Sequence, residues 1–522
     1  MHRVVADPPD ISTESLRSDH ERKPLKPRRR WRRLSLLLVA AVLVVCFAVL
    51  AAKWPFTRSK VIANLEERMG GRVEIGKFHH TWFPPGCVAE DVTFTGYGSL
   101  PNSIPVTVHK LTIQASLRGL LSQHVSVFHA EGVHLISPNA GYFSGWKEPL
   151  NNSPVVVDKF VATDSLLEIL RGTEKLPLQF AISRLVLSSR DVHGVRTFQI
   201  TLRNPAPPGE VQASGYLGPW RMDNTAQTPI AGSYSFRHAD LGVFHGIAGI
   251  LSSNGSFQGT LKQLDVRGKT VTPDFEVTDT GHKIPLVAQF QATVETKGGN
   301  VSLELVNARL GRSSMEAAGN IKQQDHQKGK VTSLNLVVRN GRIQDFLFLF
   351  LKDPAAPMTG RFNFKGVAVL PPEKAPFTRK IQLDGDFGVD AGHLSNPATQ
   401  ANLEQLSERA EGEKDDPPER ILTDLKGHVV LRQGIATFSD LSFQVPGAVA
   451  KLHGTYSLIT HRIDLQGDVF MKANLPQATS GAKSFFLKII NPFLKKNRRG
   501  GAIVPVTIKG IYPHPIYGTD PI

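Results

Sequence analysis

From Arg72 onward, apolar and polar residues alternate with a period of two, the pattern of strands buried on one face. "DVTFTG" puts Val92 and Phe94 on one side, and "TFQITLRN" does the same with Phe198, Ile200 and Leu202. "RFNFKGVAVLPP" presents Phe362 and Phe364, then Val367 and Val369 after a glycine that changes the phase. "IQLDGDFGVD" presents Ile381 and Leu383, then Phe387 and Val389. Helical spacing is rare. It predicts short helices over Ser59–Met69, Leu117–Ser122, Ser165–Arg171, Asp240–Gly246, Asp345–Lys352, Leu403–Ala410 and Lys483–Ile490. In the first, Val61, Ile62, Leu65 and Met69 share a face, and Gly70 and Gly71 follow at the C-cap.

A tripeptide of glycine, polar residue and large apolar residue recurs along the chain. It starts at Gly232, Gly255, Gly319, Gly360, Gly385, Gly427, Gly454 and Gly467. The spacing is too irregular for a solenoid. It suits a long antiparallel meander, in which glycine lets strands bend or bulge so the sheet can curl. Turns rich in Gly, Pro and polar residues, such as "NPAPPGE" and "ETKGGN", agree. The expected fold class is mainly β: one long curled antiparallel sheet with short capping helices.

The pattern breaks at Leu34–Ala52, which carries no charge. At about 1.5 Å rise per residue it can span a hydrocarbon core of ~30 Å. Leu34, Leu38, Val42, Val45, Val49 and Ala52 mark out this expected anchor, a single transmembrane helix. Before it stands "KPLKPRRRWRR", basic and without an acidic residue. The positive-inside rule therefore places residues 1–33 in the cytoplasm as a basic tail and the rest across the membrane. A cleaved signal peptide is the other reading, with "VLA" before Ala52 as the cleavage site.

Composition sharpens this only in part. The formal net charge is +15, which favours anionic partners. Topology explains the arginine cluster, so nucleic acid is not expected. The two cysteines, Cys46 and Cys87, are too differently placed to suggest a disulfide. No nucleophile elbow, zinc-binding helix, phosphate loop or dinucleotide fingerprint occurs, and the histidines are scattered. No enzyme, catalytic residue, metal site or cofactor is expected.

Several local stretches invite a functional reading. "EIGKFHHTWFPPGC" resembles a metal or thiol site, but His79 and His80 are strand neighbours and point to opposite faces. A first hairpin fits better, with a bulge at Gly76 and a turn at Pro84, Pro85 and Gly86. The apolar run Phe346–Leu351 is a helix plugging a sheet end or corner, or a mobile lid. Near the C-terminus, Phe485, Phe486, Ile489 and Ile490 precede Lys495, Lys496, Arg498 and Arg499. That is the pattern of an interfacial element meeting anionic lipid, or of a cap with a solvated basic turn. The charged run within 403–425 reads as a solvated loop or a cover over a groove.

A long sheet with one apolar face must curl, close or cover itself. With so few helices, that face packs on itself or lines a groove fit for acyl chains. Here the residues resemble the bacterial AsmA family: the anchor with "PFTRSKVIANLEERMGGRVEIGKF" and "FPPGCVAEDVTF" at the start, "LRNPAPPGEVQASGYLGPW" in the middle, and "LKGHVVLRQGIATFSDLSFQVPGAVAKLHGTYSL" with "VPVTIKGIYPHP" at the end. The resemblance implies an inner-membrane anchor and a periplasmic sheet curled into a taco-like apolar groove, as in bridge-like lipid transfer proteins. It implies phospholipid handling for the outer membrane and brings no catalytic residues. The expected modules are a chorein-like part over 53–150, a central sheet over 151–402, the charged insertion over 403–425 and a C-terminal module over 426–522. About 25–30 strands at ~4.8 Å each would extend ~120–145 Å, short of a whole periplasm, so that an outer-membrane partner, an oligomer or a shuttle step is expected. Phe78, Trp82, Phe83, Phe198 and Phe362 are the expected lipid-entry or groove residues. The alternative function is an assembly factor whose sheet edges pair with outer-membrane client strands.

Overall fold

The computed structural model describes residues 54–69, 71–96, 105–122, 124–137, 156–170, 176–188, 190–221, 223–296, 298–324, 329–394, 423–445, 448–471, 503–512 and 514–518. The chain divides into two units, Met1–Thr57 and Arg58–Ile522. In the first, Trp54 and Phe56 meet edge-to-face with ring centroids 6.1 Å apart. Among the described residues no helix is long and apolar enough to cross a membrane. The expected anchor Leu34–Ala52, the helices over Leu403–Ala410 and Lys483–Ile490, and the basic cluster Lys495–Arg499 lie outside the described residues.

The second unit opens with α1 (Arg58–Met69), β1 (Arg72–Thr81), β2 (Gly86–Thr95) and β3 (Val106–Gln114). Helix α2 (Leu117–Ser122) leads to β4 (His124–Val125), β5 (Val127–Ser137), β6 (Val156–Val157), β7 (Lys159–Ile169) and β8 (Leu178–Ser188). The middle holds β9 (Arg196–Pro205), β10 (Pro208–Leu217), β11 (Pro229–Asp240), β12 (Ile247–Ala248), β13 (Ile250–Thr260), β14 (Gln263–Val277), β15 (Lys283–Glu295), β16 (Val301–Leu310), β17 (Ser313–Gln323) and β18 (Lys330–Arg342). Then come α3 (Ile343–Leu347), β19 (Met358–Leu370), α4 (Phe377–Lys380) and β20 (Gln382–Leu394). The last strands are β21 (Thr423–Arg432), β22 (Ile435–Val445), β23 (Ala448–Ser457), β24 (Arg462–Met471), β25 (Ile503–Ile511) and β26 (His514–Gly518). Thr423–Leu425, expected in the charged insertion, already belong to β21.

One sheet of 24 strands takes in all but β4 and β6, which form a small pair of their own. Neighbours in the chain are neighbours in the sheet, save that β11 pairs with β13 and β12 with β14, and the pairing is antiparallel with one exception. β5 and β7 run parallel, so the sheet is mixed rather than wholly antiparallel. A parallel pair needs a crossover in place of a hairpin. β1 pairs only with β2 and β26 only with β25 among the described residues, so the sheet is open. It runs unbroken across the expected module boundaries near 150 and 402–426. β12 shares a column with β13, so the ladder is about 105 Å along its contour at ~4.8 Å per step.

Two local expectations are corrected. Ser165–Arg171 is no helix; Ser165–Ile169 lie in β7. Asp164, at φ 49°, shifts the phase there, so adjacent apolar residues mimic helical spacing. Nor does Gly366 change the phase of β19. Gly366 pairs with Gly385, Ala368 with Leu383 and Phe364 with Phe387, so one face continues through all of them, while Val367 lies on the other.

The irregularity at Gly76 extends beyond β1. Gly76 stands opposite Asp91, Asp91 opposite His109, His109 opposite Gly132, and Gly132 beside Asp164, with registers intact on either side. Each strand changes phase on this line, so it is a crease across several strands rather than a bulge in one. Asp91 and Gly132 sit at φ 54° and 66°. A Cβ on Gly132 would lie 2.9 Å from that of His109, so the crossing needs glycine.

Candidate functional site

The registers assign one face of the sheet its apolar residues from β1 to β26; it is called the inner face here. In β9 it carries Phe198, Ile200 and Leu202, and in β10 the opposed Gly215, Ala213 and Val211. Further along come Tyr234 and Phe257, then Val266 and Gly268 with their partners Ala292 and Phe290, and then Val306. The outer face is polar. Arg339 donates to Glu316 at 2.9 Å and Lys77 to Glu90 at 3.3 Å.

Glycines shape the inner face. Gly215 pairs with Gly232, and Phe198 and Phe257 flank them in the same row. The two rings lie over the glycines and reach a centroid separation of 6.4 Å across three ladder steps. In the next row Gly255 pairs with Gly268, flanked by Tyr234 and Phe290. The Tyr234 hydroxyl lies 3.0 Å from Ser253 Oγ, and burial pushes its pKa up. Gly366 and Gly385 repeat the arrangement under Phe364. The recurrent tripeptide therefore sets glycine and large residue on one face, two residues apart. Rings lie flat where a Cβ would collide, and that close approach favours a curled sheet with a smooth apolar floor.

Cover over this floor varies. Along β1–β5 most inner side chains are buried, Val92 being 0 %, Cys87 1 % and Leu111 1 % exposed, while Phe78, Phe128, Val133 and Leu135 are half-buried. α1 packs there, with Val61 buried, Arg58 donating to the Ile75 carbonyl at 2.6 Å and Glu66 accepting from Val73 N–H at 3.0 Å. Burial pushes the Cys87 thiol up to about 12, which leaves it an inert core residue. Along β8–β17, in contrast, Ile200, Leu202, Val266, Phe290 and Val306 are half-buried; among the described residues only two single-turn 3-10 helices, Thr225–Gln227 and Leu241–Val243, lie between β8 and β17, and no α-helix does.

Over β18–β22 the chain covers the floor itself. α3 and the residues after it leave one end of β18. Phe346 packs on Phe362 at 5.0 Å, within a cluster that includes Val338 and Val389. Phe350 packs with inner-face Leu336, Ala368 and Leu370, toward the other end of the same strands. Asp345 fixes the start of this segment; its carboxylate accepts from Ser313 Oγ at 2.7 Å and Arg312 N–H at 3.1 Å.

The expected site residues scatter along this surface. Phe198 and Phe362 are inner-face residues, 8 % and 9 % exposed, the first lying down on glycines and the second beneath Phe346. Phe78 is on the inner face of β1, half-buried. Trp82 and Phe83 occupy the β1–β2 turn, 44 % and 84 % exposed, with Trp82 edge-to-face on His80 at 5.3 Å. The interfacial residues Phe485, Phe486, Lys495, Lys496, Arg498 and Arg499 and the anchor residues lie outside the described set. Missed were Phe377 and Asp279, whose contacts come from distant strands and leave no local signal. Among the described residues no group of His, Cys, Asp and Glu could hold a metal ion. The chain matches no known family model, and no curated protein matches it.

Proposed function

We propose that the chain binds the acyl chains of phospholipid on its inner face and carries lipid across the space between two membranes. The supporting observation is the continuous apolar inner face, half-buried along much of β8–β17, in a sheet that among the described residues is open and nearly without covering helices. A floor of glycines and flat rings offers an acyl chain a smooth surface rather than one fixed seat. At about 0.8 kcal/mol per buried CH₂, a sixteen-carbon chain is held well even when partly covered, and it can slide. An apolar span at Leu34–Ala52 would anchor this sheet at an inner membrane with its bulk in the periplasm, as the resemblance to the AsmA family implies. The role is then lipid supply to the outer membrane and its integrity.

A second reading has its own support. Among the described residues β26 pairs on one side only, and Ile516 within it and Ile503 and Ile511 at the ends of β25 are exposed at 72, 61 and 62 %. Such an edge can accept a client strand. Mass spectrometry of the purified full chain separates the two. Lipid transfer requires bound phospholipid that Ile200→Asp or Phe290→Asp removes. Strand pairing requires client binding that these changes leave intact. A folded chain free of lipid would overturn the first reading.

A further inference from the structure

The inner face is bridged at mid-length by loops from opposite ends of the strands. The turn Thr278–His282 closes the β14–β15 hairpin at one end. Phe377–Lys380 precedes β20 at the other end, where Gln382 pairs with Val369. On a flat sheet these would be about five ladder steps, or ~24 Å, apart sideways and a strand length of ~40 Å apart along it. They touch. The Asp279 carboxylate accepts from Thr378 N–H at 2.9 Å and Thr378 Oγ1 at 3.1 Å. Lys380 Nζ donates to the His245 carbonyl in the β11–β13 turn, and a Cβ on Gly246 would lie 2.9 Å from that of Phe377. Between them runs the segment after α3: His282 packs on Phe348 at 4.6 Å, and Phe350 faces Phe377 at 6.4 Å. The coiled sheet therefore brings its two rims together here, with Phe346–Leu351 inside the curl.

We propose that this bridge is a gate on the groove, resting on the reading of the inner face as a lipid path. A lipid with its tails on the floor holds its headgroup out through the mouth between the rims. Where the rims meet, the headgroup has no way past, and Phe346–Leu351 occupies the space for the tails. Passage from β8–β17 to β21–β26 requires the rims to part. The contacts suit this. They are a few polar bonds and ring contacts between loops, not a strand ladder, so they can open without breaking the sheet.

The test uses the full chain with Asp279→Cys, Thr378→Cys and Cys46→Ser, compared oxidised and reduced; Cys87 stays in its core. The disulfide should form on oxidation. It should slow transfer of nitrobenzoxadiazole-labelled phosphatidylglycerol from the protein to phosphatidylethanolamine–phosphatidylglycerol vesicles at least tenfold, and reductant should restore it. Backbone amides of Phe348–Leu351 should exchange hydrogen at least tenfold more slowly when the disulfide is closed. Equal transfer and equal amide exchange in the two states would overturn the gate, as would failure of the cysteines to join. A chain that carries no phospholipid in either state would overturn the lipid reading instead, while amide exchange still decides whether the rims open.

Discussion

The inner faces of β1–β5 and of β8–β17 are written in the same alternating code and end in different states. In the first, Val92 and Leu111 are sealed, and α1, from the adjoining sequence, lies against β1. In the second, Val266 and Phe290 occupy equivalent places and remain half-buried. Alternation therefore records which side of a strand is apolar. What covers that side depends on what else the chain can bring to it. An apolar face left open over so many strands is costly for a protein with no use for it, and this contrast points to function.

The largest effect should separate the two regions. Val92→Asp buries an unpaired carboxylate and should destabilise the N-terminal strands by about 4 kcal/mol or more, seen as early loss of structure in urea. Val266→Asp can reach water and should cost only about 1 kcal/mol while reducing bound phospholipid at least tenfold. Equal destabilisation would mean that β8–β17 is as closed as β1–β5.

Next in size is Gly232→Val. A side chain there would meet the Ser214 carbonyl and the Phe257 ring at 2.3 and 3.0 Å. The expected loss is about 2 kcal/mol, with Phe257 lifted from the floor; a neutral result would remove the glycine-and-ring account of the smooth surface. Asp345→Ala should cost about 2 kcal/mol, because Ser313 Oγ and Arg312 N–H lose their acceptor. Its mark is faster amide exchange in Phe346–Leu351 and none in β1–β5.

The smallest effect belongs to the outer face. Hydrogen bonding to Asp386 raises the His428 pKa above its ordinary value, with Asp384 adding to it. A raised folded-state pKa means stabilisation present below about pH 6.5 and lost as pH rises through the folded value. The side chain is partly exposed, so the melting temperature should fall slightly between about pH 5.5 and about pH 8. His428→Gln should flatten that slope.

The strand pattern and its punctuation were legible because they are local. α1 and α2 follow from apolar spacing over a few residues, and the β1–β2 hairpin from Pro84, Pro85 and Gly86. The tripeptides at Gly232 and Gly255 signalled that glycine mattered, without showing that it makes room for rings from the next strands. Three things were not legible. Asp164 takes a left-handed conformation inside β7 and disguises the strand as a helix. The parallel step between β5 and β7 depends on a crossover with no pattern of its own. The contact of Asp279 with Thr378 spans 99 residues and exists only because the sheet coils. Alternation placed Phe198 and Phe362 on the inner face; that Phe346 covers Phe362 was set by tertiary packing.

The central claim is that the inner face of β8–β17 holds acyl chains. A photoreactive benzophenone side chain placed at Val266, and separately at its outer-face neighbour Arg267, tests it most directly in the full chain within its native membranes. Phospholipid adducts, read by mass spectrometry, are predicted at position 266 and absent at position 267. Adducts at neither position, or equally at both, would contradict the account.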